Sequence, residues 1–289
     1  MLAVLAIATL AWSGMLSAQA AHRVTDPGEG RNALRVMTYN IHHGAGNEEC
    51  APREAGSAPA ADCGLNLERI AKVISAAKAD IVGLQEVDRF WARSGGVDQP
   101  RVLAQMLAMS VCFGPNLQLP AEGNIGSPRE YGTAILSRFP LRDCRNTHLP
   151  RVSEANEQRG LLSGEVETPN GNVRVMVTHL SVVAADRVPQ TEELAKAVAT
   201  SQLPTILMGD LNTRPEAESL RPLLAKMRDL WTLAGKGDGL TSAAHPQRPP
   251  RSRIDYILVS PVIRTNGTRV VINVTTRMAA DHYPLVSRI

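Results

Sequence analysis

Aromatic side chains are scarce in this chain. Phenylalanine, tryptophan and tyrosine together account for only 3% of its 289 residues. Proteins that bind single-stranded nucleic acids stack the bases on aromatic rings, and membrane-embedded proteins place Trp and Tyr at the bilayer interface. Because the sequence has little material for either arrangement, we expect neither a base-stacking platform nor an aromatic membrane belt.

A strong excess of one charge is also missing. The formal net charge is only +3 at pH 7. Such a balance permits an anionic substrate but does not require a nucleic acid. The one short basic run, residues 248–253, is most simply a solvated loop. Its position just before Asp255 leaves contact with an anionic substrate open.

Long apolar runs are absent except at the N-terminus. Residues 2–16 are mostly apolar, and small residues follow at 17–21, as in an export signal that is cleaved near Ala20 or Ala21. No Lys or Arg precedes the apolar run, which leaves open a start codon farther upstream. An uncleaved membrane anchor is the alternative, and it is disfavoured because the run is short, interrupted by polar residues and without a flanking positive charge. We expect a secreted or periplasmic protein without stable membrane insertion after cleavage. The expected organisation is a signal peptide, a linker and one large domain, at residues 1–21, 22–31 and 32–289.

Cysteine is rare, with four residues in the chain. An even number in an exported protein is compatible with disulfides. Cys50 and Cys63 bracket an insertion rich in Pro, Ala and Gly, and a bond between them would clip it, leaving Cys112 and Cys144 for a second bridge. The two other connectivities remain open, as do four reduced thiols if the chain is not exported.

The hydrophobic content of 44% is enough to bury a large core in a single domain. Apolar residues recur at helical spacing over residues 67–79. The remaining apolar runs indicate strands, which alternate with helices in some places and follow one another as hairpins in others. This pattern favours two packed, mostly mixed sheets with outer helices. Three further helices and one loop are predicted, at residues 102–109, 191–201, 216–226 and 116–130.

The segment from Ile206 to Thr213 ends a short apolar run with an acid and an amide. Asp210 and Asn212 stand two residues apart, and residues i and i+2 of an extended segment face the same way. A carboxylate beside a neutral amide suits a site that handles a phosphate and a hard divalent cation. Taken alone, the segment is also typical of a turn rich in Asp and Asn.

Five other apolar segments end in the same manner. Each ending has an ordinary explanation as a cap, a surface acid or a structural histidine. Six such endings in one chain instead favour a shared site. The residues at these five endings are Asn40, Glu86, His179, Asp255 and the pair Asp281 and His282.

In order and combination, these segments resemble the endonuclease/exonuclease/phosphatase superfamily, which includes DNase I, abasic-site endonucleases, neutral sphingomyelinases and inositol polyphosphate 5-phosphatases. The resemblance runs from about residue 34 to the C-terminus. It implies an α/β (α+β) four-layer sandwich, with two mostly mixed or antiparallel sheets face to face and helices outside. It also implies that residues 32–289 form one catalytic domain, which we expect to be monomeric. The matching segments are the Asn40 strand and residues 85–87, 131–138, 158–160, 178–180, 209–212, 253–256 and 281–282.

The resemblance implies a metal-dependent phosphoesterase. Glu86 matches the principal metal ligand, and Asn40 is expected to assist at the metal or the phosphate. Asp281 should face away from its neighbour His282 and toward a metal. The ligands are oxygen donors, so we expect Mg²⁺ or Mn²⁺ as the cofactor.

Catalytic roles follow from the same resemblance. His282 matches the histidine proposed to activate water or to stabilise the phosphoryl oxygens, and Asp255 would fix its tautomer. His179 would contact the phosphate or the leaving oxygen. Asp210 and Asn212 would orient the nucleophile and grip the phosphate.

Substrate contacts are expected from Arg159, Arg253 and His42. Arg159 matches a recurrent arginine, although a structural salt bridge is equally compatible with its position. His42 and His43 are expected at the rim of the site, where packing is the alternative role.

The expected reaction is hydrolysis of a phosphodiester or phosphomonoester by in-line attack of water that a His/Asp pair activates. The substrate is a nucleic acid, a phospholipid headgroup or a small phosphoester. An extracellular nuclease acting on DNA or RNA is the alternative within the enzyme class. A non-catalytic module that binds a phosphate ligand is the alternative of another class, and the complete set of catalytic residues disfavours it.

Overall fold

Twelve strands and six helices make up the part of the chain that the computed structural model describes, residues 33–47 and 66–289. The strands are β1 Arg35–Asn40, β2 Ile81–Arg89, β3 Ser110–Leu119, β4 Arg129–Ser137, β5 Leu141–His148, β6 Gly160–Thr168, β7 Gly171–His179, β8 Thr205–Asp210, β9 Arg228–Asp229, β10 Asp255–Val259, β11 Gly267–Val270 and β12 Leu285–Arg288. The helices are α1 Leu67–Ala77, α2 Gln99–Leu107, α3 Ala184–Thr200, α4 Arg221–Leu224, α5 Leu230–Ala234 and α6 Val274–Ala279.

The strands form two sheets of six. The first has the order β11-β12-β1-β2-β4-β3, and the second has the order β5-β6-β7-β8-β10-β9. Each sheet is mixed, because β1 pairs with β2 and β7 pairs with β8 in parallel while the other pairs are antiparallel. Each parallel pair brings two strand ends to one edge of its sheet, where polar side chains can gather.

Three hydrophobic layers hold the sandwich together. Between the sheets, buried side chains such as Val36 and Ile135 pack in one cluster with Val177 and Met208. The outer face of the first sheet packs against α1 and α2, and that of the second sheet packs against α3 and α4. Helix, sheet, sheet and helix form the four layers, which confirms the predicted fold class.

One predicted helix is confirmed, and two others begin earlier than the sequence predicted. The helix predicted over residues 67–79 is confirmed as α1. α2 begins earlier than residue 102, because the Asp98 side chain accepts a hydrogen bond from the backbone N–H of Arg101 and caps the first turn. α3 begins before the predicted residue 191 and contains Pro189, a residue that usually ends or kinks a helix.

Two further predictions were partly wrong. The loop predicted over residues 116–130 is shorter, because β3 continues to Leu119 past an irregularity in register that lies between Pro115 and Leu117. Strand prolines are tolerated at such irregularities. The helix predicted over residues 216–226 is a 3₁₀ turn, Glu218–Leu220, followed by α4, whose first turn contains a proline.

The Cys112–Cys144 disulfide is formed, as predicted, and it joins β3 of the first sheet to β5 of the second. The proposed Cys50–Cys63 bridge, the signal peptide and the linker lie outside the described residues. Within residues 33–47 and 66–289, none of the helices combines the length and apolar character that a membrane crossing requires.

Asp186, on the first turn of α3, anchors the loop that precedes β6. Its carboxylate is fully buried and accepts hydrogen bonds from the Val152 backbone N–H (2.7 Å), Ser181 Oγ (2.9 Å) and Asn156 Nδ2 (2.8 Å). We expect Asp186→Ala to lower the free energy of unfolding by about 3 kcal/mol, since three donors lose their acceptor. Urea denaturation measures this change. The exposed Glu192 on the same helix gives the control, Glu192→Ala, and equal midpoints for the two variants would refute the anchoring role.

Candidate active site

Three site residues form a row across the second sheet. His179 of β7 lies opposite Asp210 of β8, and Asp210 lies opposite Asp255 of β10. Residues directly opposite on neighbouring strands share a face of the sheet. His179 Nε2 is accordingly 3.4 Å from Asp210 Oδ2. Strand register alone therefore gathers one imidazole and two carboxylates at this edge.

The first sheet reaches this row through Asn40, the last residue of β1. Its fully buried Nδ2 donates to Glu86 Oε1 (2.8 Å) and to Asp210 Oδ2 (3.2 Å). One amide thus connects carboxylates that belong to different sheets. The site lies where the ends of strands from both sheets meet.

Glu86 is aimed into the site by a β-bulge. The register of β2 with β4 shifts between Leu84 and Val87, and Glu86 has a φ of 56°. A bulge inserts an extra residue and redirects its side chain. β2 continues past this carboxylate to Arg89, so Glu86 lies at a bulge inside the strand.

His282 and Asp281 lie just before β12. His282 Nδ1 is 2.8 Å from Asp255 Oδ2, and His282 Nε2 is 3.7 Å from Asp210 Oδ2. Because a carboxylate only accepts, Nδ1 is the donor to Asp255. Asp281 acts electrostatically both on Glu86, where its charge raises the carboxyl pKa, and on the neighbouring His282 ring, where its charge helps to raise the pKa.

Burial and mutual repulsion set the protonation states of this group. Desolvation raises the pKa of Asp210 to about 7, and the charge of Asp255 adds to the rise. Burial by itself would lower the pKa of His282, but Asp255 and Asp210 outweigh burial and hold that pKa well above its usual value. At neutral pH the His282 ring keeps its proton between two carboxylates.

Glu86 and Asp281 repel each other electrostatically. Burial raises the pKa of Glu86, and the charge of Asp281 raises it further, while the Asn40 hydrogen bond acts in the opposite direction. Asp281 Oδ1 is buried and has no hydrogen-bond partner within the described residues. Two carboxylates, an orphaned oxygen and the Asn40 amide form the kind of oxygen-rich donor set that hard divalent cations prefer. The residues present thus fit a metal.

Asn212 and His179 form the opposite wall. Asn212 has a φ of 48°, a left-handed conformation that asparagine tolerates better than most residues. Its Nδ2 donates to His179 Nε2 (2.9 Å) and to the Leu180 carbonyl (2.9 Å). The His179 proton therefore sits on Nδ1, which is buried and unpartnered within the described chain. Burial and then the charge of Arg159 lower the pKa of His179 well below its usual value, so this ring is neutral.

Arg159 brings a positive charge to the same wall. One terminal nitrogen is 3.0 Å from Glu157 Oε1. Its Nε and Nη1 are buried and have no hydrogen-bond partner among residues 33–47 and 66–289. An arginine with buried, unused donors next to a neutral histidine can bind an oxyanion.

The structure does not bring Arg253 into this cluster. Its guanidinium is buried, pairs with Asp229 at 2.7 Å and lies over the Tyr256 ring. These contacts give Arg253 a structural role between β9 and β10. The other predicted residues gather as described, with His42 at the rim beside Glu86.

Two residues near the site received no catalytic role from the sequence. Burial and the charge of Glu86 raise the pKa of Tyr131 well above its usual value, so a neutral phenol stands near that carboxylate. His43 lies beside Glu86 as well, and burial, then Arg93, lower its pKa to about 3. The family-like segment at residues 131–138 was the available signal for Tyr131.

Two groups of side chains have the ligand atoms to hold a metal ion. In each group, one ligand atom per residue lies within 4.8 Å of the others. One group is Asp210, Asp255 and His282, and the other is His42, His43 and Glu86. In the first group, His282 Nδ1 already donates a hydrogen bond to Asp255 Oδ2.

Comparison with known proteins gives a consistent result. The model of the Endonuclease/Exonuclease/phosphatase family matches residues 37–282. A crystal structure of an endonuclease/exonuclease/phosphatase from Beutenbergia cavernae has 28% identity and a TM-score of 0.67, and the match covers 89% of this chain and 71% of that one. Among curated proteins, none matches the chain.

Two more distant solved structures share the fold. The mannosyl-6-phosphatase of Bacteroides thetaiotaomicron has 19% identity and a TM-score of 0.64, with 89% of this chain and 99% of that one covered. The human Nocturnin catalytic domain, solved with a bound sulfate anion, has 20% identity and a TM-score of 0.63, with 89% and 93% covered. Both extend the likeness to nearly the whole length of the compared chains.

Proposed function

Because the chain belongs to the endonuclease/exonuclease/phosphatase family, we propose that it is a divalent-metal-dependent phosphoesterase that hydrolyses a phosphodiester or a phosphomonoester. The observation that carries this proposal is the continuous buried network from Glu86 through Asn40 and Asp210 to His282 and Asp255. It joins a cation-binding carboxylate to a proton-sharing group. Both are needed when water attacks phosphorus and charge develops on the phosphoryl oxygens.

Glu86 and Asp281, with Asn40 beside them, would hold the cation. Mg²⁺ or Mn²⁺ would supply Lewis-acid stabilisation of the phosphoryl oxygens. The Asn40 amide donates to Glu86 and so orients the carboxylate. The raised pKa of Glu86, caused by burial and by Asp281, supports this assignment because a bound cation would relieve the repulsion.

Asp210 is the group placed to accept the proton of the attacking water. Its pKa of about 7 matches a proton acceptor that works near neutrality. The backbone N–H of Asn212 donates to Asp210 Oδ1 (2.9 Å) and fixes the carboxylate. Asp255 keeps the proton on His282 Nδ1, so the charged ring stabilises the phosphoryl oxygens.

Asn212, His179 and Arg159 would bind the remaining phosphoryl oxygens or the leaving oxygen. His179 has its proton on the unpartnered Nδ1, and Arg159 has two unused donors. These donors are buried with no acceptor in the described chain, which an oxyanion would provide.

We expect Arg159→Gln to weaken the binding of inorganic phosphate by about 10–100-fold, since a hydrogen bond to a charged group contributes about 1.5–3 kcal/mol. Calorimetric titration with phosphate measures the change. Arg253→Gln is the matched control, because that arginine pairs with Asp229. It should lower stability and leave phosphate affinity unchanged. Loss of affinity in the control but not in Arg159→Gln would reverse the two assignments.

A nuclease acting on DNA or RNA is the second candidate. The loop at residues 248–253 contains Arg248 and Arg251, but Arg253 is paired with Asp229. The pairing of Arg253 makes the basic surface smaller than the sequence predicted. A non-catalytic binding module is disfavoured by the intact network. Among solved structures of this fold, the mannosyl-6-phosphatase is named for a phosphomonoester, which supports a small-substrate alternative.

We also propose that the protein is exported and that it is a monomer. The apolar segment at residues 2–16 and the Cys112–Cys144 disulfide support export, since disulfides persist in oxidising compartments.

A substrate panel tests the proposed function. The chain from about residue 23 is assayed with Mg²⁺, Mn²⁺ or EDTA on plasmid DNA, RNA, bis-p-nitrophenyl phosphate, sphingomyelin and inositol phosphates. We expect metal-dependent turnover of at least one substrate and no turnover in EDTA. Turnover that EDTA leaves unchanged would contradict metal dependence. The absence of turnover with every substrate of the panel would favour the non-catalytic binding module.

A further inference from the structure

His42 and His43 occupy a short 3₁₀ turn, His42–Gly44, directly after β1. A ring nitrogen of each histidine and a carboxylate oxygen of Glu86 lie within 4.8 Å of one another. Two imidazoles and one carboxylate form a mixed nitrogen and oxygen donor set. In the proposed function the same carboxylate is shared with Asn40 and Asp281, which offer only oxygen ligands.

The His42 ring is oriented with a free nitrogen. Its backbone N–H donates to Asn40 Oδ1 (3.1 Å), and its Nδ1 lies 3.0 Å from the Gly46 carbonyl oxygen. A carbonyl only accepts, so Nδ1 carries the proton and Nε2 keeps its lone pair. Metal-binding histidines are typically held in this way, by a second ring nitrogen that donates to a carbonyl or a carboxylate.

His43 is tied to the strand that carries Glu86. The Gln99 side chain donates from Nε2 to the His43 carbonyl (2.6 Å) and accepts at Oε1 from the Asp88 backbone N–H (3.0 Å). His43 Nδ1 is buried and has no hydrogen-bond partner within residues 33–47 and 66–289. The nearby Arg93 donates to both carboxylate oxygens of Asp88, at 2.9 and 2.8 Å.

We propose that His42, His43 and Glu86 bind one transition-metal ion, so that this centre prefers Zn²⁺ to Mg²⁺. Two histidines and a glutamate are a donor set of catalytic zinc sites, whereas Mg²⁺ favours oxygen ligands only. The inference rests on the proposed function because it shares Glu86 with the proposed Mg²⁺ or Mn²⁺ site, and it goes beyond that function by adding a transition metal that binds through the two histidines. The two histidines are rim residues that the oxygen-donor assignment leaves unused.

Metal titration in the absence of substrate tests the proposal. Zn²⁺ and Mg²⁺ are titrated by calorimetry into the wild type, the double variant His42→Ala/His43→Ala, and His148→Ala. His148 is an exposed histidine on β5 and serves as the matched control.

We expect the wild type and the control to bind one Zn²⁺ more tightly than Mg²⁺. The double variant should lose about tenfold or more in Zn²⁺ affinity, because even indirect partners of a metal contribute about 10–100-fold. Its Mg²⁺ affinity should stay unchanged.

Zn²⁺ binding that is equal in the double variant and the wild type would overturn the proposal, as would a wild type that prefers Mg²⁺. If the double variant does not fold, the single variant His43→Gln is used with the same criteria. Cobalt supplies a readout that needs no variant of these histidines. Bound Co²⁺ should show visible bands typical of nitrogen ligation in the wild type and in His282→Ala, and bands of an all-oxygen site would contradict the assignment.

The outcomes separate this inference from the proposed function. Zn²⁺ binding that depends on His42 and His43, without turnover of any panel substrate, would support the metal site and refute the phosphoesterase. Turnover with Mg²⁺ that both histidine variants retain, together with unchanged Zn²⁺ binding, would support the phosphoesterase and refute the metal site.

Discussion

Replacing His282 by glutamine should lower kcat by about 10²–10⁴-fold on whichever panel substrate the wild type hydrolyses. Glutamine keeps a donor of similar size but cannot carry the positive charge that Asp255 and Asp210 maintain on the ring. The charge stabilises the transition state more than the bound substrate, so KM should change little. Steady-state kinetics at saturating metal gives both constants.

Asp255→Asn supplies the control for this assignment. Because Asp255 acts through its hydrogen bond to His282, the two substitutions remove one function and should not be additive. The double variant should be about as slow as His282→Gln alone. A kcat of His282→Gln close to that of the wild type, measured on protein free of contaminating activity, would show that this histidine is not catalytic.

Glu86→Gln should remove cation-dependent turnover, with a loss of about 10³-fold or more, because a bound metal contributes several kcal/mol to the transition state. In the absence of metal, the same substitution should not lower the free energy of unfolding. Glutamine removes the repulsion by Asp281 that raises the pKa of Glu86, so the metal-free variant should be as stable as the wild type or more stable.

Thermal unfolding with and without the cation separates these effects. At a metal concentration 100 times the dissociation constant, the wild type should gain about 2.7 kcal/mol, whereas the variant should gain almost nothing. Glu165→Gln is a suitable control, since that glutamate pairs with Arg174 on a remote part of the second sheet. Equal stabilisation of wild type and Glu86→Gln by metal would place the cation elsewhere.

Much of the site was predictable because its polar residues directly follow or precede apolar runs, a pattern that the sequence shows without any structure. His179, Asp210 and Asp255 each sit at the end or start of an apolar run, and their alignment follows from strand register. The order of the segments identified the sandwich, which the structure confirmed. The predicted pairing of Cys112 with Cys144 was confirmed as well.

Other features depend on tertiary contacts that no local pattern encodes. The bulge at Glu86 lies where the register of β2 with β4 shifts, so it depends on a partner strand that the local sequence does not show. Arg253 looked like part of a basic surface, but its partner Asp229 is 24 residues away. α3 runs through Pro189, which a local reading takes as a boundary. Three-dimensional pairing overrode local propensity in each of these cases.

The central claim is that one cation and one phosphate bind side by side, with Glu86 on one wall and Arg159, His179 and Asn212 on the other. A crystal structure of the wild type grown with Mn²⁺ and inorganic phosphate tests it most directly. The account predicts an anomalous peak within bonding distance of Glu86 and tetrahedral density in contact with Arg159, His179 and Asn212. A manganese ion bound away from Glu86, or a phosphate that contacts none of these residues, would contradict it.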